Sequence, residues 1–172
     1  MYQWKGAKTL LEAARLSGED ILFVFVGGTK KDIGAFKSQA GINKNILVAG
    51  HQPYQEIPFW LKAADLLVLP NSGEEDISRY WTSPMKMFEY MASGQPIVAS
   101  DLPSLREVLN ENNAVLVEPD NPKALAEGIN KTLKNSAFSA NISARALKDV
   151  QKYSWINRAK NIYEIIRRYS NL

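Results

Sequence analysis

The stretch "TSPMKMFEYMASGQPIVAS", residues 82–100, contains a helix start, a helix stop and a strand. Thr82 or Ser83 can accept hydrogen bonds from the free N–H groups of a helix start. Pro84 fits the first helical position, where its missing N–H would be unpaired anyway. Gly94 suits the left-handed residue that ends a helix, and the proline two residues later cannot continue one. The stretch therefore predicts a helix, a tight turn and the strand "PIVAS".

The start of this predicted helix suits an anion. Helix N-termini concentrate free N–H donors and a partial positive charge, and Lys86 adds a full charge within the first turn. Glu89 lies three residues later on the same face, where a carboxylate can accept two hydroxyl hydrogen bonds from a sugar ring. The alternative is a surface Lys–Glu pair that contributes only about a few tenths of a kcal/mol. Spacing alone leaves both interpretations open.

The composition indicates one globular domain. The chain has 172 residues, 45% hydrophobic and 23% charged, and no apolar run approaches the roughly 20 residues of a membrane span. It has no cysteine and one histidine. These counts exclude disulfides, thiolate chemistry and the usual zinc sets, and the lack of cysteine fits a cytoplasmic protein. The acidic run "EED" at 74–76 is more typical of a solvated loop than of a cation site, so we expect no metal.

The charge distribution argues against a nucleic-acid partner. The net charge is +3, and the basic residues are spread along the chain apart from "KK" at 30–31 and "RR" at 167–168. Nucleic-acid binding would need a basic stripe, ideally with interleaved aromatic residues. The charge therefore supports only a weak preference for anionic partners. The N-terminus is an amphipathic helical pattern that begins at about Gly6, not a signal peptide.

Five apolar segments predict strands that alternate with helices. Continuous runs of this kind are typical of strands buried on both faces, and short strands joined by helices indicate right-handed β-α-β units. We therefore predict a doubly wound α/β domain, a parallel sheet covered on both sides, with three further helices at the end of the chain. The strand segments are "ILFVFVGG" (21–28), "NILVAG" (45–50), "LLVLP" (66–70), "PIVAS" (96–100) and "AVLVEP" (114–119). The final helices are expected over 121–135, then to about residue 152, then from residue 154.

Ligands of open α/β sheets bind at the carboxyl ends of the strands, so the strand exits are the candidate site. Gly27 and Gly28 permit close approach of a ligand, although a tight turn explains them equally well. His51, at the exit of the second strand, either bonds locally or faces a bound base. Among four tryptophans, Trp81 has the best claim to ligand contact because it lies in a polar loop beside the helix start. The dinucleotide and P-loop fingerprints are absent. Ser83 lacks a nucleophile-elbow context, and one histidine cannot make a Ser-His-Asp set on its own, so hydrolase chemistry is not expected.

Several motifs in order resemble a known family. They are "WKG" with its amphipathic helix, "FVFVGG", "AADLLVLPNS", "SPMKMFEYMASGQPIVASD" and "NNAVLVEPDNPKALAEGI". From Lys5 to about Tyr163 the chain looks like the C-terminal domain of GT-B fold glycosyltransferases of the GT4 type. The resemblance implies a Rossmann-like domain, residues 1–172, that binds a UDP- or GDP-linked sugar. It also implies that an N-terminal acceptor domain and the first strand of this sheet lie outside the chain.

The resemblance assigns roles to individual residues. Lys5 matches the lysine of the family's Lys-Gly motif, which helps to hold the donor diphosphate, and Glu89 matches the second glutamate of the Glu-x7-Glu motif, which contacts the ribose. Trp81 stands where the first glutamate of that motif is expected. The chain instead resembles the subset with Ser-Pro-x-Lys before the glutamate, where Ser83 and Lys86 face the phosphates. An acid at 74–76 is a candidate replacement, and spacing does not choose among the three.

The family resemblance also implies a reaction and partners. Lys5 and Lys86 would stabilise the leaving nucleoside diphosphate without a metal or other cofactor, in a transfer that retains anomeric configuration. The acceptor would be a glycan or lipid-linked glycan in polysaccharide or O-antigen synthesis, in the cytoplasm or peripherally on the membrane face. The alternatives are a non-catalytic nucleotide-binding module and a nucleotide-sugar epimerase of the same fold. Ile162, Ile165 and Ile166 on the last helix would be partly bare, so we expect some self-association.

Overall fold

A computed structural model describes residues 3–170 and contains five parallel strands in that range. The ends of the predicted 1–172 domain, residues 1–2 and 171–172, lie outside the described part. The first two strands pair with each other in one sheet, and the last three pair in chain order in a second sheet. The strands are β1 (Phe23–Val26), β2 (Ile46–Gly50), β3 (Leu67–Leu69), β4 (Ile97–Ser100) and β5 (Val115–Val117).

Helices follow the strands as the apolar spacing predicts, so the α/β, Rossmann-like class is confirmed. The α-helices are α1 (Ala7–Leu16), α2 (Lys30–Ala40), α3 (Ile57–Ala63), α4 (Met85–Ser93), α5 (Pro103–Arg106), α6 (Pro122–Lys134), α7 (Ser136–Asp149) and α8 (Trp155–Ser170). The short helical segments are the N-terminal turn (Gln3–Lys5), a turn at Tyr54–Glu56, a π-helix (Ile77–Trp81) and a turn at Val150–Tyr153. α1 packs on α6 across the join between the two sheets.

The sheet arrangement differs from the single continuous sheet that the sequence predicts. The β1–β2 pair and the three strands β3, β4 and β5 are separate sheets. One apolar cluster bridges them, in which Phe23 and Phe25 of β1, Val98 of β4 and residues of α1 and α6 pack together. This cluster lies on one side of the β1–β2 pair, where the rings of Phe25 and Phe36 approach to 4.8 Å between centroids. Helix packing therefore holds the two sheets together.

The two sheets differ in how deeply their strands are buried. β4 is buried along its whole length, as predicted, whereas Val24 of β1 and its register partner Leu47 of β2 are 40% and 44% exposed. The prediction that every strand is buried on both faces is therefore wrong for β1 and β2. Apolar content predicts a strand, but exposure depends on which faces the helices cover, and α2 lies on the Phe25 face.

The start of α4 is also corrected by the structure. The helix begins at Met85, and Pro84 precedes it in an extended conformation, so neither Thr82 nor Ser83 caps it. The amide of Met87 donates instead to the carbonyl oxygen of Pro84, at 3.0 Å. The predicted stop is confirmed, because Gly94 closes the helix in the left-handed region with φ of +74°.

The three predicted C-terminal helices are confirmed. Asn121 caps α6 by accepting from the amide of Ala124, and Ser154 accepts from the amide of Asn157 at the start of α8. All residues of α8 except Asn157 are exposed, including the three isoleucines for which the sequence predicts bare surface. Within residues 3–170, no helix combines the length and apolar character needed to cross a membrane.

Candidate functional site

The N-terminal turn is docked against the exit of β3. The carbonyl oxygen of Trp4 accepts hydrogen bonds from the Ser72 amide at 2.9 Å and the Ser78 hydroxyl at 3.4 Å. Gly6 has φ of +64°, and a Cβ there would collide with the carbonyl oxygen of Pro70. Glycine is therefore required beside Lys5 both for its backbone conformation and for the close approach to β3.

Lys5, Lys86 and Glu89 form a lysine cluster at the start of α4. Lys86 is an exposed residue, yet atoms packed around its ammonium group lower its pKa, the charge of Lys5 lowers the pKa further, and Glu89 raises it. These effects indicate that Lys5 and Glu89 both lie near the ammonium group of Lys86. The helical spacing explains the Lys86–Glu89 pair, and the docked N-terminal turn brings in Lys5. The cluster can hold an anion between two cations, with a carboxylate one turn further on.

Two other predicted residues flank this cluster. Ser83 is exposed just before the uncapped start of α4. Trp81 ends the π-helix with 80% of its surface accessible. Trp81 therefore has no core-packing role to explain its position, and its contact with a ligand stays a prediction.

Gly27, Gly28 and His51 form a second group at the exits of β1 and β2. Both glycines have positive φ, and the amide of Gly27 donates to the carbonyl oxygen of Gly50 at 2.7 Å. This bond places the first strand exit beside His51, which is exposed. A Cβ at Gly27 would meet no neighbouring atom, so its backbone conformation rather than lack of space calls for glycine there.

A cavity of about 280 Å³ lies at the exits of β3, β4 and β5, and the sequence reasoning missed it. Among the acids of "EED", Glu74 is the one that lines it, beside Arg79, Asp101 and Asp120. Asp120 has φ of +56° and accepts from the Gly73 amide at 2.7 Å, which fixes the loop that carries Glu74. The sequence signal that could have revealed this cavity is an acidic residue shortly after each of the three strands, namely Glu74, Asp101 and Asp120.

Arg106 controls the charge of Asp101 in this cavity. Its guanidinium hydrogen-bonds both carboxylate oxygens of Asp101 and also pairs with Glu111 at 2.9 Å. The hydrogen bond from Arg106 holds the pKa of Asp101 below its usual value. The cavity therefore presents ionised oxygen acceptors, which suit the hydroxyl groups of a polar ligand.

Residues 1–149 match the sequence profile of the glycosyl transferases group 1 family. This match covers most of the chain, and the chain belongs to that family. The recognition made from the sequence motifs is therefore confirmed.

Individual relatives agree with this assignment. The chain is 33% identical over 132 residues to the glycosyltransferase MJ1607 of Methanocaldococcus jannaschii, covering 74% of the chain and 32% of that relative. It is 25% identical to a D-inositol 3-phosphate glycosyltransferase of Xylanimonas cellulosilytica, covering 94% of the chain and 39% of the relative. The chain thus spans between about a third and two-fifths of these relatives.

The fold has solved counterparts. The crystal structure of Anabaena Alr3699/HepE in complex with UDP superposes with a TM-score of 0.82 at 20% identity, covering 97% of this chain and 46% of that one. This likeness establishes a shared fold.

Proposed function

We propose that this chain binds a nucleoside-diphosphate sugar, the donor in glycosyl transfer, through its lysine cluster. The observation that carries the proposal is that Lys5 and Lys86, distant in sequence, lie close enough for the charge of Lys5 to lower the pKa of Lys86. Two cations held together in this way gain most when an anion lies between them. A diphosphate supplies that charge, and the uncapped first turn of α4 adds free N–H donors.

Glu89 would bind the ribose of the same ligand. It lies one turn into α4 from Lys86, and its carboxylate can accept hydrogen bonds from two neighbouring hydroxyl groups. Ser83, exposed before the helix start, can donate to a phosphate oxygen. The site would therefore bind phosphate at the helix end and ribose one turn further in.

The base would lie toward Gly27, Gly28 and His51. The turn after β1 allows close approach of a ligand, and the exposed imidazole can donate to or accept from a base edge. The structural neighbour from Anabaena was solved with UDP, which makes UDP the first ligand to test and GDP the second. Trp81 offers an exposed ring for stacking near the phosphate end.

The proposed chemistry is stabilisation of the leaving nucleoside diphosphate. As the glycosidic bond breaks, negative charge develops on the diphosphate oxygens, and ammonium groups already aimed at them lower the barrier. In this proposal Lys5 and Lys86 supply that charge without a metal ion. We expect the transferred sugar to keep its anomeric configuration, as the family resemblance implies.

Glu74 is our candidate for the acid that faces the donor sugar. It lines the strand-exit cavity, and Ser72, two residues earlier, is hydrogen-bonded to the N-terminal turn that carries Lys5. The hydroxyl of Ser72 also accepts from the amide of Glu74 at 3.2 Å. One short loop therefore connects the proposed diphosphate site to the cavity, which supports the sugar lying there.

We infer that a longer protein completes the enzyme. Among residues 3–170, β1 and β3 each pair on one side, and the Phe23 amide donates toward β2, so the alternate amide of Val24 points to the open edge. A strand inserted between β1 and β3 would join the two sheets. A preceding domain would then select the glycan or lipid-linked acceptor. Slow hydrogen exchange at Val24 in the longer protein, and fast exchange in this chain, would support the inserted strand.

Thermal unfolding with UDP, GDP and ADP tests the donor-site proposal. A ligand at about 100 times its dissociation constant adds roughly 2.7 kcal/mol, which should raise the midpoint by about 5 to 10 °C. We expect one diphosphate to do so, and Lys86→Ala and Glu89→Gln to lose most of the shift. The matched controls are Lys160→Ala and Glu164→Gln on exposed α8, which should keep it. Equal shifts in site and control variants would overturn the proposal.

A non-catalytic nucleotide-binding module is the second candidate, and Trp81 is the observation that favours it. The position where the family has a catalytic glutamate holds an indole, which cannot accept a proton or bind sugar hydroxyls as a carboxylate does. A labelled-donor assay with the longer protein separates the two candidates. Transfer of label to an acceptor that depends on Glu74 would exclude the module, whereas UDP binding with no transfer would support it.

A further inference from the structure

Ser78 lies at the centre of a hydrogen-bonded connection between three segments. It belongs to the π-helix and is fully buried. Its hydroxyl donates to the carbonyl oxygen of Trp4 at 3.4 Å, and its own carbonyl oxygen accepts from the Ser104 hydroxyl at 2.6 Å. Ser104 is also buried, so its bond to Ser78 is shielded from water, whereas the bond from Ser78 to Trp4 is only partly buried. A buried polar group that loses its hydrogen-bond partner is costly, so these bonds favour one arrangement of the segments that they join.

The connection joins the segments that carry the two lysines. Trp4 directly precedes Lys5 in the N-terminal turn. The π-helix that contains Ser78 ends at Trp81 and runs through a short extended segment into the start of α4, where Lys86 lies. Ser104 anchors the same π-helix to α5 beyond β4. Single π-helical turns are often found at functional sites.

We propose that Ser78 is a positioning residue that holds the N-terminal turn against the π-helix and so sets the separation of Lys5 from Lys86. This inference rests on the proposed function, because the separation matters through the diphosphate that both lysines would hold. The Ser72 amide shares the same acceptor, so it keeps the turn near β3 when Ser78 is changed. Ser78 then controls fine placement and not attachment.

Titration of the Lys86 ammonium by NMR, without any ligand, tests the inference directly. The charge of Lys5 lowers the pKa of Lys86, so Lys5→Ala should raise it. Ser78→Ala should raise it in the same direction by letting Lys5 move away, and Ser78→Thr, which keeps the hydroxyl, should restore the wild-type value. The control Ser143→Ala removes a buried hydroxyl that bonds within α7 and should change nothing.

An unchanged Lys86 pKa in Ser78→Ala, beside a raised one in Lys5→Ala, would overturn the inference. If Ser78→Ala does not fold, Ser104→Ala removes the other bond of the connection and gives the same readout. A pKa that rises in Ser104→Ala would support the inference, and an unchanged value would count against it.

UDP affinity provides a second readout. Loss of one hydrogen bond predicts about two- to tenfold weaker binding in Ser78→Ala. If Ser78 acts through Lys5, the double variant Ser78→Ala/Lys5→Ala should bind no more weakly than Lys5→Ala alone. Additive losses would show an independent effect and contradict the inference. If wild type does not bind UDP, the proposed function fails, and the Lys86 titration still decides the role of Ser78.

Discussion

The two-stranded and three-stranded halves of the molecule differ in how completely they are covered. In the three-stranded half, β4 is buried along its length, and a second apolar cluster, which includes Met87, Leu105 and Ala146, packs α4, α5 and α7 together. In the two-stranded half, Val24 and Leu47 leave one face of β1–β2 open. The difference indicates that the half that carries the lysine cluster has a complete core, whereas the other half has surface left for a neighbour.

Truncation of one leucine in each half should give the largest contrast. Leu105 on α5 is fully buried, and Leu105→Ala should cost about 2 to 5 kcal/mol through lost burial and a cavity. Leu47→Ala, on the open face, should cost less than about 1 kcal/mol, because little area is lost. Urea unfolding measures both free energies. Equal losses would show that the two halves are equally packed.

Alanine at two glycines should change stability in opposite directions. Gly6→Ala meets the Pro70 carbonyl and a left-handed backbone, so we expect a loss of about 1 to 3 kcal/mol and weakened UDP binding. Gly34→Ala, inside α2 with open space at its Cβ, should gain about 0.5 to 1 kcal/mol. Thermal unfolding compares them. A neutral Gly6→Ala would mean that the turn carrying Lys5 is not docked as described.

Acid should also weaken the three-stranded half, through Asp149. Asp149 is buried, and its hydrogen bond from Arg145 holds its pKa below the usual value, with Asn113 as a further donor. A lowered folded-state pKa contributes stability above about pH 4, and this is lost as pH falls through the folded pKa. The melting-temperature difference between wild type and Asp149→Asn should therefore be largest near neutrality and shrink in acid. A pH-independent difference would contradict this.

Exposed α8 should produce the smallest effect, a weak self-association. Three isoleucines of α8 are exposed, Ile162, Ile165 and Ile166. Exposed apolar side chains grouped on one helix favour contact between copies of the chain. Light scattering should show a mass that rises with protein concentration, and Ile162→Glu should reduce the rise. A constant monomer mass at high concentration would contradict the prediction.

Local patterns in the sequence predicted most of the fold. The run "FVFVGG" predicts a strand because it is short and apolar. Gly94 predicts a helix end because glycine readily adopts the left-handed conformation, which is the one observed. Neither pattern encodes which helices cover a face, so the exposure of Val24 was missed. The Ser83 cap was also wrong, because the sequence signal does not reveal that Pro84 stays extended.

Site residues that are close together in the sequence were predictable, whereas contacts between residues far apart in the sequence were not. Lys86 and Glu89 follow from helical spacing, and Lys5 was identified through the family resemblance. The bond between Ser78 and Trp4 joins residues 74 positions apart, and no periodicity predicts it. The strand-exit cavity collects one loop from each of three strands, so its acids come together only in the folded chain.

Calorimetric titration of UDP and of uridine tests the central claim, that the lysine cluster holds a diphosphate. We predict that UDP binds about ten- to a hundredfold more tightly than uridine, since hydrogen bonds to charged groups contribute about 1.5 to 3 kcal/mol. Lys86→Ala should remove most of this difference, because Lys5 and the start of α4 remain, and it should leave the affinity for uridine unchanged. Equal affinities for the two ligands, or a Lys86→Ala variant that binds UDP as wild type does, would contradict the account.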